Sequence, residues 1–270
     1  MLGASRDSLA ALRSALDAQL TAAADPAALS GDLRAVSDLL AGERSLRVAL
    51  ADPGQDADGK RALTDSVLGG RVSAPALAVV SAAAEQRWSA DRDLVDALDI
   101  VGIEAALAGA ENAGTLDRVE EEVFRFGRAV ESSADLQMTL GDPAVDTARK
   151  SEIVGALLEG RADPVTVGLV TRTVTGLRGH RLQAALGQLT ELAARRRNRI
   201  VALVTAARPL DDAQEARLAA VLGRIYGRVV DVQVEVDPEV VGGVRVVIDD
   251  EVIDGTVASR LAQVKRTLAG

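Results

Sequence analysis

The chemistry open to this chain is narrow. Its 270 residues include one histidine, His180, and no cysteine. With no thiolate and a single imidazole, neither a tetrahedral zinc site of the usual ligands, nor a thiol nucleophile, nor a disulfide can be assembled. A Ser-His-Asp relay would have to turn on His180, which lies between Gly179 and Arg181 at a helix start, where a capping or solvated role is expected. Gly59-Lys60 and Lys150-Ser151 lack the spacing of a phosphate-cradling loop. Gly242-Gly243 separates two strand-like runs, so it offers a phosphate no helix N-terminus. No Gly-x-Ser-x-Gly elbow occurs. Catalytic, cofactor-binding and metal-binding residues are therefore all expected to be none.

Binding surfaces are constrained in the same way. The aromatic residues are Trp88, Phe124, Phe126 and Tyr226, too few for a stacking platform, and the formal net charge of -9 argues against nucleic acid as a partner. One basic cluster, Arg195-Arg196-Arg197-Asn198-Arg199, follows a stretch rich in arginine, whereas residues 231–254 are strongly acidic. Two readings stand side by side: a charged docking surface, or a solvated helix end beside an acidic sheet. The repeated Asp52-Pro53 and Asp142-Pro143 read as turn and helix-start devices rather than as sites.

The elements that carry these residues change character near residue 200. Before it, apolar residues return at three- and four-residue spacing, interrupted by turn signals. Leu9, Leu12, Leu16 and Leu20 stripe a first helix that ends before Asp25-Pro26. Leu33, Val36, Leu39 and Leu40 stripe a second, with Ser30 and Asp32 as expected N-cap residues. Further stripes follow at Leu63, Val67 and Leu68, at Leu77 and Val80, and at Leu94, Leu98 and Val101. The N-terminal MLGASRDSLA has no apolar core, and Ala74 to Ala84 is too short to span a bilayer. A soluble, intracellular protein is expected.

The helical part repeats at an offset of ninety residues. Leu50-Ala51-Asp52-Pro53 matches Leu140-Gly141-Asp142-Pro143, Lys60 falls on Lys150, and Gly70-Arg71 on Gly160-Arg161. Leu33, Val36 and Leu40 meet Val123, Phe126 and Val130. Helix faces and helix breaks are both preserved, which is the mark of a duplicated module. The expected domains are residues 1–110 and 111–199, the two helical copies, and 200–270.

The last domain switches period. Ile200 to Ala206 is a β-branched run and Val230 to Val236 alternates strictly, with a helix between them carrying Ala216, Leu218, Val221, Leu222 and Ile225. Val244 to Ile248 leads through Asp249-Asp250 into Glu251-Val252-Ile253, and Thr256 is expected to cap a last helix through Leu261, Val264 and Leu268. The fold class is mainly α: a duplicated N-terminal helical bundle followed by a small C-terminal β-α-β-β-α domain.

Spaced motifs in this tail resemble a known family. Ala207-Arg208-Pro209-Leu210, then Asp237-Pro238-Glu239-Val240-Val241-Gly242-Gly243, then Val252-Ile253-Asp254-Gly255-Thr256 and Arg260-Leu261 are similar to the C-terminal signature of the delta subunit of bacterial F-type ATP synthase, the oligomycin-sensitivity-conferring protein family. Val240-Val241 stands for the usual Leu-Ile, Thr256 for Ser and Asp249 for Gly. The preceding module, with Asp142-Pro143, Lys150 and Leu192 to Arg196, resembles the family's helical domain, and the additional copy resembles its long actinobacterial form.

The resemblance implies a non-enzymatic peripheral-stalk subunit. It would link N-terminal helices of the alpha subunits to the C-terminal helix of subunit b and resist rotor torque, on the cytoplasmic face of the plasma membrane and held there only through the complex. An expected groove for the alpha helix is formed by Leu9, Leu12, Leu16, Leu77 and Val80, with Leu169, Val170 and Val174 as the corresponding wall in the second copy. Subunit b is expected on the last domain, at Val221 and Val264 with Leu218, Leu222, Leu261 and Leu268. A helical scaffold of another assembly is the alternative, and a hydrolase built on His180 or on carboxylates of 231–254 the third reading.

Overall fold

The computed structural model describes residues 3–21, 25–226, 229–238, 240, 242–248 and 251–254. The chain divides into two compact units, residues 1–197 and 198–270. The first is helical: α1 (Ala4–Thr21), α2 (Pro26–Gly42), α3 (Arg44–Ala51), α4 (Ala57–Leu68), α5 (Ala74–Glu85) and the long α6 (Asp91–Asn112). The series from α2 onward then recurs as α7 (Leu116–Glu131), α8 (Ala134–Gly141), α9 (Thr147–Leu158), α10 (Pro164–Thr175) and α11 (Leu182–Arg197). Among the described residues, no helix is long and apolar enough to cross a membrane.

Aspartates set the helix starts. Asp25 accepts from Ala27 N at 2.9 Å with Pro26 at the first helical position, and Asp163 accepts from Val165 N at 2.9 Å with Pro164 there. A side-chain acceptor satisfies an orphan N–H, and proline fixes φ where no N–H is needed. This corrects the expectation that Ser30 and Asp32 cap the second helix, because Asp25-Pro26 begins it a turn earlier. Ser30 Oγ instead donates to Gly102 O at 2.7 Å, and Asp32 accepts from Ser73 N at 2.8 Å, so both residues tie α2 to other segments. Asp52 and Asp142 accept from Gly54 N and Ala144 N, each at 2.8 Å, which makes both Asp-Pro motifs turn devices.

The repeat has a structural consequence in α6. An offset of ninety carries α1 (Ala4–Thr21) onto residues 94–111, inside α6. That helix thus closes the first copy and opens the second. Its Leu94, Leu98, Val101 and Ala105 are buried in the first core with Leu12, Leu16, Leu29, Leu33 and Leu40. Its Ile100, Leu107 and Ala110 are buried in the second with Val119, Val123, Leu140, Val170 and Leu189. Each buried leucine contributes on the order of 2 kcal/mol by leaving water. The boundary read at residues 110 and 111 falls at the C-terminal end of this shared helix, inside one compact unit.

Among the described residues, the second unit is a four-stranded sheet with a helix. β1 (Arg199–Ala206), α12 (Asp212–Tyr226) and β2 (Val229–Val236) form a parallel crossover, and β3 (Val244–Ile248) and β4 (Glu251–Asp254) complete the order β2-β1-β3-β4. β3 runs antiparallel to both β1 and β4. Ala202, Val204, Val230, Val246 and Ile248 pack with Leu222 of α12. Gly242 and Gly243, at φ 76° and 82°, make the turn before β3 in a region that side chains disfavour. Thr256, Leu261, Val264 and Leu268, expected to form a last helix, lie outside the described residues.

Candidate partner-binding groove

Three helices of the first unit present one face each to a common trough. α6 forms its floor with Gly102, Ile103, Ala106 and Gly109. α10 forms one wall with Val165, Gly168, Leu169 and Arg172, and α2 the other with Ala27, Ser30, Gly31 and Arg34. Both walls follow the i, i+3, i+4, i+7 spacing that puts residues on one helix face. The trough is open on one side and has a volume of about 440 Å³. From Asp99 to Asn112 the floor runs roughly 20 Å, the length of a helix of three to four turns. Gly102 and Gly109 let α2 itself pack close, since a Cβ at either would meet Leu33 or Pro26 at 3.5 Å, so the floor side chains open to a guest are those of Ile103 and Ala106.

One arginine holds the walls together. Arg172 of α10 donates from Nε to Asp99 of α6 at 2.9 Å and from Nη1 to Asp38 of α2 at 2.6 Å. Arg178 adds a 2.9 Å bond to Asp38. Burial opposes the Arg172 charge, but Asp99 and Asp38 outweigh it and hold the guanidinium above its ordinary pKa. Arg34, by contrast, is exposed on the α2 wall and has no ion-pair or hydrogen-bond partner for its side chain among the described residues.

The sequence-expected residues divide sharply. Leu12, Leu16, Val80, Val170 and Val174 are at most 1% exposed and form core. They offer a partner no surface in this structure, because the apolar stripe that marks a helix face also marks the face it buries internally. Leu9 and Leu77 are partly buried against that core. Leu169, 5% exposed, lines the trough. Val221 is 38% exposed on α12 beside Ile225, while Leu222 is buried and Leu218 half-buried. Val264 lies outside the described residues. Sequence reading missed the trough's glycines and alanines, whose only signal was small side chains one turn apart.

The remaining charged candidates serve the scaffold. Arg195 pairs with Glu191, Arg196 with Glu111, and Arg197 with Asp117 and Glu120, at 2.5 to 3.0 Å. The basic cluster is thus largely balanced within the helical unit, which favours the solvated helix end over a docking surface. His180 Nε2 stands 3.4 Å from Asp96 Oδ2. Burial raises the Asp96 pKa against the pull of His180 and Arg178.

A raised folded-state pKa means that the native state holds this proton more tightly than the unfolded chain does. The contribution of Asp96 is full below the ordinary carboxylate pKa, about 3.9, and is lost as pH rises through its higher folded value. Asp96→Asn should therefore raise the urea midpoint at pH 7 and leave it nearly unchanged near pH 4, pH values chosen roughly to bracket that window. A midpoint that falls at neutral pH would mean that the pull of His180 and Arg178 on Asp96 outweighs the burial cost.

Comparison with known proteins decides the family. The model of the ATP synthase delta (OSCP) subunit matches residues 104–268, from the middle of α6 onward. The chain belongs to the ATP synthase delta (OSCP) subunit family. ATP synthase subunit delta of Streptomyces coelicolor is 46% identical over 100% of this chain and 98% of its own length. That of Streptomyces avermitilis is 47% identical over 99% and 98%, and that of Nocardia farcinica 46% over 100% of both. These delta subunits align through residues 1–103 as well, so the additional helical copy is shared with them. A chain of the Toxoplasma gondii mitochondrial ATP synthase hexamer aligns at 17% identity over 62% of this chain and 95% of its own, with a TM-score of 0.27.

Proposed function

We propose that this delta-family protein is a non-catalytic peripheral-stalk subunit of an F-type ATP synthase, on the cytoplasmic face of the plasma membrane. It links alpha subunits of the catalytic head to subunit b, so that rotor torque drives the catalytic sites instead of turning the head. The observation that carries this reading is the apolar trough over α6. Its α10 wall and the C-terminal part of its floor belong to the residues that the family model matches, and it has the length and spacing of a seat for one amphipathic helix. We assign it to an N-terminal helix of alpha, with Leu169 on its wall. Leu9 and Leu77 mark the corresponding place on the first copy, where α1 packs against α5.

For subunit b, the reading rests on the outward face of α12, where Val221 and Ile225 leave apolar surface in water. Val264 is assigned with them. Val221→Asp should lower affinity for a C-terminal peptide of subunit b by about tenfold, about 1.4 kcal/mol. A substitution at so exposed a position should change stability by no more than about 0.5 kcal/mol. Val264→Asp should act in the same direction. Titration calorimetry of the full chain against alpha and b peptides tests the whole proposal, and binding to neither would refute it.

A further inference from the structure

The geometry points to a role for the additional helical copy: its α2 supplies the second wall of the groove for the alpha helix, and Arg34 on that wall receives a carboxylate of the guest. The inference rests on the reading that the trough seats an amphipathic N-terminal helix of alpha. A single copy would provide only the floor and the α10 wall. Here the α2 face with Ala27, Ser30 and Gly31 stands opposite Val165 and Gly168 and turns a shallow face into a three-sided trough.

The wall is also held in place. Ser30 bonds to Gly102 O on the floor, and Asp38, one turn beyond Arg34, takes Arg172 of the opposite wall. A Cβ at Gly31 or at Gly168 would meet no heavy atom within 4 Å, so both glycines open into free space rather than into packing.

Charge selects the guest. Asp99 and Asp38 are already committed to Arg172 and Arg178, and Asp25, the third acid lining the trough, caps the N-terminus of α2 by accepting from Ala27 N. Among the described residues Arg34 is left as a cation without a side-chain partner, on the wall above Ile103 and Ala106. A helix with a continuous apolar stripe and an acidic residue at its edge matches that pattern, since a charge-assisted bond at the rim fixes register while apolar contact supplies affinity.

The test uses the full chain and a synthetic peptide of about 20 N-terminal residues of the alpha subunit, long enough to fill the trough as a helix. Gly31→Leu and Gly168→Leu each fill the trough from one wall, and replacing an exposed helical glycine should raise the thermal midpoint rather than lower it. The inference expects both to weaken peptide binding about tenfold or more, and Arg34→Glu to weaken it roughly fivefold with a shallower salt dependence. If Gly168→Leu blocks binding while Gly31→Leu and Arg34→Glu leave it unchanged, the role of α2 is overturned and the alpha groove stands. If the peptide binds but none of the three variants matters, the trough is not its seat and the inference falls with that placement. If the unmodified protein does not bind the peptide at all, the reading of the trough as an alpha seat fails, and this inference with it.

Discussion

A fragment comprising residues 111–270 is expected to lose the cooperative fold of its helices, whereas one beginning at residue 91 should keep it. The difference is α6. Ile100, Leu107 and Ala110 of that helix are buried in the second core, Leu107 completely. Truncating one such leucine to alanine costs about 2–5 kcal/mol. Removing the whole face exceeds what is left of a net stability of roughly 5–15 kcal/mol.

The longer fragment carries its own liability. Leu98 and Val101, fully buried against the first copy in the intact protein, would then face water and promote self-association. Leu98→Gln with Val101→Gln in that fragment should restore a monomer. Thermal unfolding followed by circular dichroism, with hydrogen exchange in α7, α10 and α11, checks the pair. Cooperative unfolding of the 111–270 fragment near the midpoint of the intact protein would show that the second copy does not need α6.

The same helix explains what could and could not be read in the sequence. Helical stripes, the ninety-residue offset and the change of period at residue 200 are local patterns, and each corresponds to an element of the fold. Sharing is not local. α1 and α6 are related by the offset, yet α6 must satisfy two cores at once. Its apolar residues therefore spread around the helix instead of forming one stripe, with Leu94, Leu98 and Val101 serving one core and Ile100 and Leu107 the other. Periodicity reads such a helix as one more bundle member.

The groove was legible only in part, for a related reason. Leucine and valine stripes identify surface that the chain buries against itself, which is why Leu12, Leu16, Val80, Val170 and Val174 turn out to be core. A guest helix needs space, and space is made by residues that contribute least to any hydrophobic pattern. Gly31, Ala106 and Gly168 come together from three helices far apart in sequence. Nor does any motif announce that Arg172 reaches Asp38, 134 positions away. Long-range charge pairing leaves no periodic trace, and Arg34, without a side-chain partner among the described residues, becomes visible only once its neighbours' partners are known.

That long-range pairing gives the second large effect. Arg172→Met keeps the length of the side chain and removes its charge, leaving Asp99 and Asp38 with Arg178 alone. The Arg172 side chain is 11% exposed and Asp99 22%, so both are substantially desolvated, whereas Asp38 is 54% exposed. Losing one partner of a fully buried pair costs about 3–5 kcal/mol. With Asp38 in water and Arg178 still present, about 2–3 kcal/mol is expected here. Because the guanidinium pKa is raised, its contribution is fully present below the ordinary arginine value. The loss should therefore be equal at about pH 6 and pH 9.

Stability alone would not separate a bolt between walls from an ordinary ion pair. The bolt sets the distance between α2 and α10, so Arg172→Met should weaken the alpha peptide, and Asp38→Asn, which breaks the same bond from a residue outside the trough lining, should weaken it too. A double-mutant cycle with Asp99→Asn should give a coupling of about 1–2 kcal/mol in stability. Loss of stability with unchanged peptide affinity would mean that the trough keeps its width without the pair. A loss for Arg172→Met with none for Asp38→Asn would place the effect in direct contact with Arg172, which lines the α10 wall, rather than in wall spacing.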